Sequence, residues 1–307
     1  MMRKAVMMLG LGVALAAWTP GQTRPAPDAT SCQLPPGWDQ VAARGARIVV
    51  FGEVHGTRES PAFVGSLACA LAAKGERILV AVEHFSLVDG DYQKAWDLPD
   101  TAFVPALIKS GWAGREDGVA SEAMLAMLVQ LHSLSQAGRK IDIVAFSGVK
   151  DKAQARKLAN LPSLQGQHDA SQAENIREAA ARHPYDHVLV LAGNMHARKQ
   201  PVTYSSPAYE PMAMRLGRSV PLLTLNMKVA GGTTWTCELR ANGNNAEDSE
   251  CAAHSVGADA DLKRKPFVAL GALPGEQLDP DYDGVYWLGS VTASPPAVPV
   301  QNLKRKP

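Results

Sequence analysis

Four short, nearly continuous apolar runs punctuate the first two thirds of the chain: Arg47 to Glu53 (RIVVFGE), Arg77 to Phe85 (RILVAVEHF), Lys140 to Ser147 (KIDIVAFS) and His187 to Gly193 (HVLVLAG). Runs of this length and β-branched content are the pattern of strands buried on both faces. Val220 to Val229 predicts a fifth. Between the runs the spacing is helical. Ser60 to Lys74 predicts a helix with Pro61 in its first turn and Gly75 leading into the next strand. Residues 88 to 138 predict helix in at least two pieces. Ala170 to Arg182 predicts another, with Asp169 as its cap. Strands alternating with helices predict an α/β fold, a mostly parallel sheet with helices on both faces. After Gly231 the pattern turns to Thr, Trp, Tyr and turn residues. Thr233 to Leu239 and Tyr286 to Val291 predict strand pieces in a small β-rich or irregular C-terminal appendage. The expected division is an α/β domain over 37–230, the appendage over 231–293 and a disordered Pro/Lys tail over 294–307.

The first residues follow another logic. Arg3 and Lys4 precede an apolar run from Ala5 to Ala17, with small residues near Ala14 and Ala16. This is the layout of a secretory signal over 1–22, too short to span a bilayer comfortably. A Pro-rich linker over 23–36 follows, and no later stretch is apolar enough for a membrane span. The mature chain is expected in the periplasm or outside the cell. Cys32 lies too far beyond the apolar run for lipoprotein anchoring. An oxidising compartment favours disulfides. Cys237 and Cys251 flank a polar, Gly/Asn-rich stretch and are expected to pair, and Cys32 with Cys69 would tie down the N-terminal arm. No C-x-x-C pair occurs, which argues against a thioredoxin motif, a zinc ribbon and covalent haem attachment. With 31 Lys and Arg against 30 Asp and Glu, the net charge of +1 offers no electrostatic case for nucleic acid.

In parallel sheets, ligands bind beyond the carboxyl ends of the strands. Three of the first four strands deliver carboxylates or imidazoles to that edge. The first ends in Gly52-Glu53-Val54-His55-Gly56, the second in Glu83-His84-Phe85 and the fourth in Gly193-Asn194-Met195-His196. Charges beside buried strands are costly unless paired or used. Glu53, His55, Glu83 and His196 are therefore the candidate catalytic or metal-ligating residues. Gly52, Gly56, Gly193 and Asn194 are candidates for letting backbone approach a ligand. His84 points away from Glu83 by strand alternation and is expected to be structural. Met195, Phe85 and Trp112 are candidate walls of an apolar slot.

The string Gly52-Glu53-Val54-His55-Gly56-Thr57, the second-strand Glu83 and the late Gly193-Asn194-Met195-His196 together resemble a superfamily. It contains the ChaN haem-binding uptake proteins, the Tiki and TraB proteins and the erythromycin esterases. His168-Asp169, followed by Ala173 and Ile176, resembles that superfamily's R-D-x-x-M-A-x-x-I helix, with His168 in place of Arg and Gln172 in place of Met. The resemblance covers roughly residues 40 to 230. It implies a shared α/β scaffold whose Glu/His pocket serves haem and iron uptake in the ChaN branch. In Tiki members the same pocket serves metal-dependent proteolysis, and in the esterases lactone opening by acid/base Glu and His.

The exported, single-domain layout fits the ChaN branch best. The first expectation is binding of haem iron or a divalent metal (Fe, Mn, Co or Zn) in the Glu/His cleft, with a partner in envelope uptake. Two carboxylates and two imidazoles form a hard-to-borderline ligand set suited to such ions. The alternative is a hydrolase of an ester, lactone or peptide. In it Glu53 or Glu83 activates water, His55 moves the proton and His196 stabilises developing charge. No G-x-S-x-G elbow and no H-E-x-x-H helix occurs, so the serine-hydrolase and zincin routes are disfavoured. A non-catalytic binding module with an inherited ion-pair network is the second alternative.

Overall fold

β1 (Ile48–Glu53) runs through the middle of the sheet, and every one of its residues is buried. The computed structural model describes residues 32–239 and 249–298. The expected signal segment, most of the linker and the end of the tail lie outside the described residues. β1 is flanked by β4 (His187–Gly193) and β5 (Leu222–Leu239), both parallel to it. β2 (Ile78–Phe85) pairs with β4, and β3 (Ile141–Ser147) with β2, again in parallel. β8 (Gly284–Val291) joins β5 in parallel, and β7 (Phe267–Leu270) closes the edge antiparallel to β8. The order is β3-β2-β4-β1-β5-β8-β7, with β6 (Ser249–Ala258) paired to the far half of β5. This mostly parallel α/β sheet is the expected fold class.

Alternation within the buried strands feeds two cores. Val49, Phe51, Val80, Val82, Leu189 and Leu191 face one side with α2 (Glu59–Ala73) and α5 (Glu122–Gln136). Ile48, Val50, Leu79, Ala81, Val188 and Val190 face the other with α7 (Leu164–Ala180) and α8 (Met212–Gly217). Both faces being covered explains why the strands read as continuous apolar runs. Residues 88 to 138 hold three helices: α3 (Asp89–Trp96), α4 (Asp100–Lys109) and α5. The short α1 (Trp38–Ala42) and α6 (Lys152–Leu158) complete the set.

Three boundaries differ from the sequence expectation. α7 starts at Leu164, because Ser163 Oγ accepts the Gly166 N–H at 2.9 Å; Asp169 is no cap but a buried residue inside the helix. The chain does not break at 230. β5 continues to Leu239, and β8 and β7 extend the main sheet, so the C-terminal β-rich part is integral to it. Residues 294–298, expected as the start of a disordered tail, pack at the head of α5. There Ser294 Oγ accepts the Ala123 N–H and Pro295 O accepts the Glu122 N–H, satisfying donors that a helix leaves open in its first turn. Both expected disulfides, Cys32–Cys69 and Cys237–Cys251, are present.

Candidate functional site

The strand order β2-β4-β1 places three carboxyl ends side by side. Glu53 is level with Gly193 in the register, and Glu83, on the same face of β2 as Leu79 and Ala81, accepts the Gly193 N–H at 2.7 Å. His55 follows β1 directly. His196 sits in the tight turn after β4, where its own N–H bonds to Gly193 O at 2.9 Å. The four candidate catalytic or metal-ligating residues are thus brought together.

They form a chain of alternating carboxylates and imidazoles. His55 Nδ1 meets Glu53 Oε1 at 2.7 Å, and His55 Nε2 lies 3.5 Å from Glu83 Oε2. Glu83 Oε1 lies 3.2 Å from His196 Nε2, and His196 Nδ1 meets Asp169 Oδ1 at 2.8 Å. Asp169 also accepts the Met212 N–H at 2.8 Å and the Gln165 amide at 2.8 Å. Gln172 donates its amide to Glu83 Oε1 at 3.3 Å and to His168 Nε2 at 3.0 Å. Glu83 therefore meets four donors, one for each lone-pair site of a carboxylate. Glu53 Oε2 is buried and meets no donor among the described residues. Glu53, Glu83 and Asp169 are buried, whereas the His55 side chain is 25% exposed.

The electrostatics follow from these contacts. Burial works against a charge on His55, but hydrogen bonds to Glu53 and Glu83 outweigh it and raise its pKa to about 10. Burial likewise opposes charge on His196; Glu83 and Asp169 overcome it and raise its pKa to about 10. Burial pushes Glu83 upward, yet His196 and then His55 hold it well below the usual carboxylate range. At neutral pH both imidazoles carry a proton and Glu83 is ionised between them. His168 goes the other way, lowered by burial and by the His196 charge, and is neutral with Nε2 as an acceptor.

The glycines divide. A Cβ on Gly193 would come within 3.0 Å of His55 Nε2 and 3.6 Å of Glu83 Oε2, so this position keeps the chain of side chains clear. Gly52 and Gly56 serve packing instead of an approach by ligand. A Gly52 Cβ would meet Ala197 Cβ at 2.8 Å, and a Gly56 Cβ would meet Trp235 O at 2.1 Å. Asn194 acts through its backbone: its N–H bonds to Glu53 O, and its carbonyl accepts the Tyr282 hydroxyl at 2.9 Å. His84 is structural, stacked on Trp112 and hydrogen-bonded to Val119 O. Trp112 is buried behind His84 and is no wall of a slot; Phe85 is exposed.

Asp169 and Gln172 belong to the cluster and were missed as candidates. Their only signal was the resemblance of the His168-Asp169 helix. Both sit deep inside α7 with no local mark of function.

An erythromycin esterase variant in its open conformation superposes on the chain with a TM-score of 0.59 at 14% identity, covering 83% of this chain and 93% of the other. The chain is similar in fold to an erythromycin esterase. A succinoglycan biosynthesis protein shares it, with a TM-score of 0.55 at 11% identity over 81% and 89% of the two chains. ChaN of Campylobacter jejuni, solved with cofacial haem, overlaps at a TM-score of only 0.34 and 12% identity, over 72% and 92%. No protein-family model and no curated protein matches the chain.

Proposed function

We propose that the protein is an exported hydrolase that cleaves an ester or lactone by acid–base chemistry at His55. The observation that carries this is the lone-pair accounting of the cluster. With His55 in its base form Glu83 still accepts from Gly193, Gln172 and His196, and the His196 charge keeps it a weak base; Glu53 is sealed from solvent, so neither carboxylate is placed to take a proton from a water in the cleft. His55 is the partly exposed member, and its Nε2 contact to Glu83 is the longest in the chain of contacts. This assigns His55, and not either glutamate, the role of activating water. Glu53 fixes the imidazole by holding the Nδ1 proton, as the carboxylate does in a His–carboxylate dyad. A water on His55 Nε2 gives up its proton to that nitrogen as its oxygen attacks the carbonyl carbon. The imidazolium then returns the proton to the departing alkoxide. His196, held positive by Asp169 and Glu83, places a fixed cation beside the developing oxyanion. Similarity of fold to an erythromycin esterase agrees with this reading.

The test is a panel of esters and lactones offered to purified protein. Turnover that falls at least about a hundredfold in His55→Ala, with the fold intact by circular dichroism, supports the assignment. A panel with no turnover by the wild-type protein contradicts it.

A second reading rests on Glu83, His168 and His196, whose ligand atoms all lie within 4.8 Å of one another. Two imidazoles and a carboxylate suit Zn, Fe, Mn or Co and leave positions open. His55 and Glu53 stand outside this set, being engaged with each other. A bound ion would supply Lewis acidity beside His55. Calorimetric zinc titration, with binding lost in His168→Ala, tests it. Two disulfides support export to an oxidising compartment. No helix among the described residues is long and apolar enough to cross a membrane.

A further inference from the structure

The end of β2, the turn after β3 and the start of α7 converge beside the cluster, and each brings a large apolar side chain to the surface. Phe85 is 51% exposed, Leu87 73%, Val149 41% and Leu164 83%. Together they rim a cleft of about 510 Å³. Ser147, Gln167 and His168 line it too. The His168 ring is 5.5 Å from that of His196, centroid to centroid, and Gln172 links His168 to Glu83. The cleft therefore borders the proposed catalytic cluster through His168, and the rest of its lining is mostly apolar. Ligand pockets have this volume and this division of labour. Exposed apolar side chains are ordinary when scattered; four from three separate segments around one opening are not.

We infer that this cleft holds the apolar acyl tail of the ester, with the carbonyl at the His168 end within reach of His55 and His196. The inference rests on the hydrolase reading and adds its substrate class: esters of medium or long acyl chains. A ligand with an apolar tail and one polar reacting end suits a mostly apolar cleft with His168 in its wall. His168, held by the Gln172 amide, borders the carbonyl end.

The test is a series of p-nitrophenyl esters, acetyl to decanoyl, offered to the purified full chain and to its Leu87→Glu/Leu164→Glu double variant. Both positions are surface sites, and Leu164 opens α7, where a glutamate suits the helix dipole, so the variant folds. In the wild type kcat/KM is expected to rise by about fourfold per added methylene until the cleft is filled, the factor for burying a methylene. In the double variant the decanoyl-to-acetyl ratio collapses. A flat series in the wild type, or an undiminished rise in the variant, overturns the inference. If no ester turns over, the hydrolase reading fails by itself, and binding of decanoate by calorimetry decides the cleft. Binding by the wild type that is lost in the variant upholds it, and absence of binding by the wild type overturns it.

Discussion

Asp169→Asn isolates the charge that holds His196 protonated. The substitution is nearly isosteric, and Asp169 Oδ1 keeps both donors it now accepts, His196 Nδ1 at 2.8 Å and the Met212 N–H at 2.8 Å. The new amide faces Gln165, whose own amide needs only to turn over to accept from it. What is lost is the negative charge. A charge-assisted hydrogen bond of this kind contributes about 1.5–3 kcal/mol, and an adjacent opposite charge moves a pKa by about one to three pH units. The His196 midpoint is therefore expected to fall from about 10 to roughly 7–9. The stability consequence has a definite sign. A histidine raised in the fold contributes stability that is fully present below its ordinary pKa and is lost as pH rises through the raised one. The unfolding free energies of the two proteins should thus differ by about 1.5–3 kcal/mol at pH 7 and converge as the pH approaches 10. Nitrogen-15 histidine NMR reads the midpoint directly, and urea unfolding at several pH values reads the convergence. An unchanged His196 midpoint in Asp169→Asn, or a midpoint near the ordinary histidine value in the wild type, would refute the reasoning.

Two further perturbations probe the frame around the cluster. Gly193→Ala places a methyl 3.0 Å from His55 Nε2; overpacking of this kind costs about 1–3 kcal/mol by urea unfolding, and displacement of the imidazole lowers kcat by roughly tenfold to a hundredfold. Replacing Cys237 and Cys251 together by Ser opens a cross-strand bridge closing a separation of 14 residues; the expected loss is about 3 kcal/mol of unfolding free energy, read by urea unfolding of the oxidised protein, with no change under reducing conditions.

The parallel strands were legible because burial on both faces leaves no alternation to confuse: β1, β2, β3 and β4 fall within a residue or two of the apolar runs. The edge that carries Glu53, His55, Glu83 and His196 followed from that sheet, since strand ends in one parallel sheet point the same way. The rest depended on contacts distant in sequence. Asp169 looked like a helix cap because its residue type favours caps, but Ser163 had already taken that position six residues earlier. Its real partners, His196 and Met212, lie far along the chain. Trp112 looked like a slot wall, and only the stacked His84 shows that it faces inward. The tail at 294–298 looked disordered from its prolines, yet a carbonyl before a proline caps a helix as well as any other. Which residue takes a proton was equally hidden, because that depends on how many donors already surround Glu83.

The most direct test of His55 as the proton acceptor is the pH dependence of kcat/KM on an ester the protein cleaves. With the imidazole pKa raised to about 10, only a small fraction is in the base form at neutral pH. The rate is expected to climb about tenfold per pH unit through neutrality and to reach a maximum near 10 in the wild type, where His196 begins to give up its charge. In Glu53→Gln the maximum moves to lower pH, because the carboxylate charge that favours the charged imidazole is gone. A profile already flat from pH 7 upward, or one that falls as the pH rises toward 10, would contradict the account.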